Sequence, residues 1–125
     1  MNDSQQKGKI MDKPSWYWSK GLHDAKIITC KIDHFNYDYT QKNPIRNCIS
    51  IDLDAHNALF DTTIATIKFL NAKIIQGDID CEGWFWKDDE LTTTCRGYAL
   101  EIALSSYPKT KKIKIFFDDI IVERQ

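Results

Sequence analysis

Hydrophobic and polar positions alternate along most of this chain, and alternation over four to eight residues is the signature of a half-buried strand. From Ala25 to Phe35 the sequence reads AKIITCKIDHF, with Ile28, Cys30 and Ile32 on one face and Thr29, Lys31 and Asp33 on the other. A polar stretch with Asn and Pro, 36–44, makes the connection. CISIDLD then points Ile49, Ile51 and Leu53 inward and Ser50, Asp52 and Asp54 outward. The loop AHNALFDT leads into TIATIKFLNAKIIQGDID. Further on, GYALEIALSSY sets Tyr98, Leu100, Ile102 and Leu104 against Ala99, Glu101 and Ala103. SSYPKTKK turns the chain, and IKIFFDDIIVERQ returns as one long strand or as two broken near Asp118-Asp119.

The two halves follow one plan: an alternating strand, a polar loop, an aromatic-containing strand, a short polar break and a further apolar run. The breaks at Asn71-Ala72-Lys73 and Asp118-Asp119 shift the phase of the alternation, as bulges or tight turns do. Helix is scarce; the candidates are short turns at 88–91 and 56–60. The pattern predicts a mainly β domain of six to eight strands, an antiparallel two-layer sandwich or curled meander with little helix. Residues 1–12 are expected to be a flexible tail and 13–125 a single domain.

Composition narrows the function classes. With 125 residues the chain is long enough for a real core without a stabilising metal or disulfide. Its 17 basic and 18 acidic residues give a formal net charge of -1, which argues against nucleic acid as a partner. The basic run Lys109-Thr110-Lys111-Lys112 follows Pro108 and reads as a solvated turn. No run approaches the ~20 apolar residues of a membrane span, and the opening residues lack a signal-peptide core. A cytoplasmic location is therefore expected, with Cys30, Cys48, Cys81 and Cys95 as reduced thiols. They form no C-x-x-C pair, so neither a structural metal nor any other cofactor is expected.

Three stretches carry candidate chemistry. In DIDCEGWFWKDDE, acidic residues bracket Trp84, Phe85 and Trp86. The rings either cover an open end of the sandwich or form an exposed anchor ringed by negative charge. The second reading makes Trp84, Trp86, Asp88, Asp89 and Glu90 a binding surface for a basic protein partner. Ser15-Trp16-Tyr17-Trp18 poses the same choice, with packing across the core end the simpler outcome.

The remaining stretches form a candidate polar site: His23 and Asp24 in GLHDAKI, and Asp52, Asp54 and His56 in DLDAH. Neighbours in an extended segment face opposite ways, so His23 and Asp24 are not expected to meet. Asp24 is expected to turn its carboxylate onto a backbone N–H at the strand entry, with His23 against the SWYW aromatics. Asp52, Asp54 and His56 alternate along one face, which suits either a divalent ion or a plain solvated face. There is no phosphate loop, dinucleotide fingerprint, H-E-x-x-H or nucleophile elbow.

The segment Leu22-His23-Asp24-Ala25-x-Ile27, with tryptophan just before it, resembles the opening of certain small bacterial β-rich domains. These include immunity-type proteins of polymorphic toxin systems, and their pattern has an acidic residue where Lys26 stands here. The resemblance implies a bacterial cytosolic binding protein that occludes a cognate toxin and performs no chemistry of its own. A non-enzymatic protein-binding module is the expected function. Two alternatives remain: a small metal-dependent enzyme or ligand-binding domain using the His/Asp cluster, and a homodimer pairing through an edge strand such as 111–123.

Overall fold

The structure is a computed structural model that describes residues 13–34 and 47–125; the expected tail and the 36–44 connection lie outside the described residues. Eight strands follow in chain order: β1 (Lys26–His34), β2 (Asn47–Asp54), β3 (Ile64–Leu70), β4 (Lys73–Gln76), β5 (Phe85–Thr94), β6 (Gly97–Ser106), β7 (Lys109–Phe117) and β8 (Asp119–Arg124). Every pairing is antiparallel, and the strands form one sheet in the order β4-β7-β6-β5-β1-β2-β3-β8. Among the described residues no helix is long and apolar enough to cross a membrane. Residues 88–91 are extended within β5 rather than turned as expected, and the lysine run opens β7.

The repeated plan in the sequence reappears as two meanders, β1-β2-β3 and β5-β6-β7, that exchange their fourth strands. β4 leaves β3 and pairs with β7, while β8 leaves β7 and pairs with β3. The two crossing connections meet where the alternation loses phase. The Asn71 side-chain amide donates to both oxygens of Asp118, at 3.1 and 3.0 Å, and Asn71 adopts φ 52° to make the turn. Exchange places one apolar face of each half against the other in a common core. Ile49, Ile51, Leu53, Ile64, Ile67 and Phe69 supply the first half, and Leu100, Ile102, Leu104, Ile113, Ile115 and Phe117 the second. The Phe69 and Phe117 rings pack 4.9 Å apart.

The halves join along a short seam. β1 and β5 share the single pair Lys26↔Phe85 and then diverge. Backbone bonds flank it on both sides: Trp86 N–H to the Ala25 carbonyl at 2.8 Å, and Ile27 N–H to the Trp84 carbonyl at 2.8 Å. Each strand also carries a bulge at the seam, between Ile27 and Thr29 and between Trp86 and Asp88. The first bulge corrects part of the facing read from the alternation: Ile27 is the core residue, and Ile28 and Ile32 are 52% and 42% exposed. Thr29 faces Asp52 and Cys30 packs against the core, as the alternation implies.

Close approach requires glycine at Gly77 and at Gly97, where a Cβ would sit 2.4 Å from a backbone carbonyl oxygen. Gly77, at φ 81°, ends β4, and a Cβ there would sit 2.4 Å from the Lys112 carbonyl oxygen on β7. Gly77→Ala is expected to cost about 2 kcal/mol, since it combines positive-φ strain with a backbone clash. Urea denaturation of the variant checks this; a change under about 0.5 kcal/mol would mean the turn relaxes freely.

Candidate protein-binding surface

The segment GLHDAKI forms the first side of the seam. Leu22, Ala25 and Ile27 have no exposed surface, so three positions of the Leu-His-Asp-Ala-x-Ile run are core. Asp24 sits at φ 75°, in a turn rather than in extended chain. That corrects the expectation that the two polar side chains diverge: His23 Nε2 lies 3.6 Å from Asp24 Oδ2. Neither bonds as expected. The Asp24 carboxylate accepts from Lys87 Nζ at 2.7 Å, which holds its pKa below the usual carboxylate range. His23 Nδ1 lies 2.5 Å from the Lys87 carbonyl oxygen; a carbonyl only accepts, so Nδ1 carries the hydrogen. The pair therefore clamps the entry of β1 onto β5.

The loop after β2 rests on this clamp. Leu59 N–H donates to the His23 carbonyl at 2.9 Å, and the Phe60 and Asp61 N–H groups donate to the Gly21 carbonyl at 3.1 and 3.0 Å. Gly21 is bare because a Cβ there would lie 3.0 Å from the Asp61 Cβ. Asp61 is held further by Arg124, 3.0 Å away on β8. A backbone so braced nonetheless projects its apolar side chains outward: Leu59 is 54% and Phe60 75% exposed. Neither was singled out from the sequence. The available signal was two adjacent apolar residues in a polar loop, where burial is otherwise the default.

Of the two arrangements open to the acidic stretch, the rings do not form the exposed anchor. Trp86 is fully buried and Trp84 is half-buried beneath Lys111, whose Nζ lies 4.5 Å from the ring centre. Asp89 turns inward because the bulge after Trp86 shifts the phase of β5, pairing it with Ile102. Its carboxylate accepts from the Tyr17 hydroxyl, from Trp18 Nε1 at 2.9 Å and from Trp86 Nε1 at 2.8 Å. Trp86 and Asp89 thus supply no free anchor or free charge. Asp88 and Glu90 stay exposed and line an open groove of about 490 Å³ with Lys13, Lys20, Glu101 and Lys112. Much of its charge is paired, Lys20 with Asp88 at 2.6 Å and Lys112 with Glu101 at 3.8 Å. A uniformly acidic lure for a basic partner is not what this face presents.

The DLDAH residues do not act as one group. Asp52 is bound between neighbouring strands by the hydroxyls of Thr29, at 2.5 Å, and Thr66, at 2.8 Å, which lower its pKa. Asp54 accepts the His56 backbone N–H at 3.2 Å, closing a turn beyond the strand. Among the described residues no three His, Cys, Asp or Glu side chains gather as a metal ion would need.

Surface features near the clamp are contiguous. Leu59 and Phe60 bond to Gly21 and His23, His23 and Asp24 hold Lys87, and Asp88 beside it pairs with Lys20 at the groove. An apolar prominence thus borders a rim of paired charges, the division found in protein interfaces. Comparison with known protein families, curated proteins and solved structures finds no match to this chain.

Proposed function

We propose that the protein is a non-enzymatic protein-binding module that uses the Leu59-Phe60 prominence as its anchor. The observation carrying this reading is the exposure of both side chains on a backbone fixed at three successive N–H groups. A rigid aromatic side chain presented to solvent loses little conformational entropy on binding, which is what interface hot spots exploit. The rim of His23, Asp24, Lys87, Lys20 and Asp88 would set register and association rate rather than supply most of the affinity. The resemblance of Leu22–Ile27 to immunity-type domains extends the proposal: the partner is a cognate toxin, occluded in a bacterial cytoplasm.

The test is affinity capture from the native cytosol with wild-type protein and Phe60→Ala in parallel. A stoichiometric protein is expected on the wild type, with its affinity reduced about 30-fold or more by the substitution. Stability of the variant should stay within about 0.5 kcal/mol, because the side chain is largely in water already. Retention of the same partner by Phe60→Ala, with loss on reversing Asp88 and Glu90 to lysine, would move the interface to the groove. No partner at low salt would refute the binding-module reading.

A further inference from the structure

We infer that Cys30 and Cys81 form a reversible disulfide that fastens the two half-sheets together across the seam. Cys30 lies on β1 and Cys81 in the loop that enters β5, and both are free thiols here. Divergence of the strands brings them together. Once β1 and β5 part after Lys26↔Phe85, the loop before β5 lies along the part of β1 left uncovered. Gly83 N–H donates to the Ile27 carbonyl at 2.7 Å, and Trp84 N–H closes a turn on the Cys81 carbonyl at 3.1 Å. Those backbone bonds set Cys81 beside Cys30, and each thiol shifts the acidity of the other. The other two cysteines stand apart in role. Cys48 is buried with its sulfur 3.6 Å from the Ser50 hydroxyl, and Cys95 is exposed in the turn between β5 and β6.

The surroundings make the two sulfurs unequal. The neighbouring Cys81 thiol and burial push the Cys30 thiol up. The Cys30 thiol and the nearby Lys111 ammonium favour the Cys81 thiolate. Lys111 is held there by the Asp80 carbonyl and by Asp78, 3.5 Å away, and it also covers Trp84. Cys81 has no exposed surface, whereas Cys30 is only partly covered, so the oxidant must be small. Hydrogen peroxide meets that requirement.

The Cys81 thiolate attacks one peroxide oxygen, the O–O bond breaks, and the departing hydroxide takes up a proton as water. Cys81 is left as a sulfenic acid. The Cys30 sulfur attacks it and gives up its proton; the S–S bond forms, the S–O bond breaks, and a second water leaves. Two thiols and one peroxide become one disulfide and two waters. A dithiol reductant reverses the oxidation by exchange, becoming a disulfide itself.

The experiment treats the folded full-length protein with hydrogen peroxide, alkylates remaining thiols after denaturation, and maps peptides without reduction. A Cys30–Cys81 linked peptide is expected, with Cys48 and Cys95 alkylated. Thermal denaturation should shift upward by about 10 °C, because the link closes roughly 50 residues of chain in the unfolded state. Dithiothreitol should return both the mass and the midpoint. Cys30→Ser should form no such link and show no shift. Over-oxidation of either cysteine without a link, a link through Cys95, linkage only after unfolding in urea, or a link that leaves the midpoint unmoved would each overturn the inference. The mapping on the wild-type chain decides even if a variant fails to fold.

Discussion

Trp86→Ala is expected to lower the stability of the domain by about 3–5 kcal/mol, the range for removing a large aromatic from a packed core. Few side chains here are so fully committed. Trp86 has no exposed surface, meets the Trp18 ring edge-on at 5.7 Å and donates from Nε1 to Asp89 at 2.8 Å. Its backbone does equal duty at the seam, donating to the Ala25 carbonyl at 2.8 Å and accepting from Asp24 N–H at 2.7 Å. Alanine keeps those backbone bonds, so the loss isolates the cavity and the missing indole donor. Trp86→Phe separates the two, since it refills most of the volume and should cost about 1–2 kcal/mol. Urea denaturation of the three proteins at one pH gives the ordering. A near-native midpoint for alanine would mean the ring is not part of the core and would reopen the case for a surface anchor.

What was readable in the sequence divides along a physical line. Ile49, Ile51 and Leu53 alternate without interruption and are buried as the pattern implies; so are Leu100, Ile102 and Leu104. Such runs record a local fact, the two-residue period of a strand between water and core. Even there Ser50, read as outward, is buried with its hydroxyl 3.6 Å from the Cys48 sulfur. The larger failures begin where one residue breaks that period. The bulge at Ile28 turns that side chain outward and makes Ile27 the core residue, and nothing in AKIITCKIDHF distinguishes a bulged strand from a regular one. The phase shifts at Asn71 and Asp118 were visible, but not that the chain changes partner at each. Strand exchange depends on contacts between residues 47 apart in sequence, such as Asn71 with Asp118.

The polar site was misread for a related reason. Treating His23-Asp24 as extended chain sends the side chains apart, whereas φ 75° at Asp24 brings them together around Lys87. Aspartate tolerates that backbone region better than most residues, so its identity allowed the turn without announcing it. Exposure is harder still to read. Trp86 and Phe60 are both aromatics beside acidic residues, yet one is fully buried and the other 75% exposed. Trp86 packs against the Trp18 ring at the seam, whereas Phe60 stands on the loop between β2 and β3.

Asp89 joins the entry segment to β5, and its replacement should produce the second large effect. Three donors converge on one carboxylate, from Tyr17, Trp18 and Trp86. Asp89→Ala leaves all three without an acceptor in a partly buried position and should cost about 3 kcal/mol. Asp89→Asn should cost less, about 1–2 kcal/mol, since the amide oxygen can still serve the two indoles while the Tyr17 hydroxyl turns to accept. The asparagine variant also exposes a pH dependence. Burial raises the Asp89 pKa above its ordinary value, reinforced by the neighbouring Asp88, while the three donors pull the other way without cancelling it. The folded protein therefore holds this proton more tightly than the unfolded chain does. The cost of keeping Asp89 ionised is full above its folded pKa and is relieved as pH falls toward the unfolded value near about 4. Asparagine has no such relief, so the stability gap between wild type and Asp89→Asn should widen between pH 7 and about pH 4. Asp24, Asp52 and Asp88 titrate in the opposite sense, their pKa values lowered by Lys87, by Thr29 and Thr66, and by Lys20. Their stabilisation is lost on acidification, but both proteins carry them and the difference removes them to first order. Urea midpoints at a series of pH values measure the gap directly. If it narrows on acidification, the donors outweigh burial, and Asp89 is held as a carboxylate by the very bonds that fix the entry segment in place.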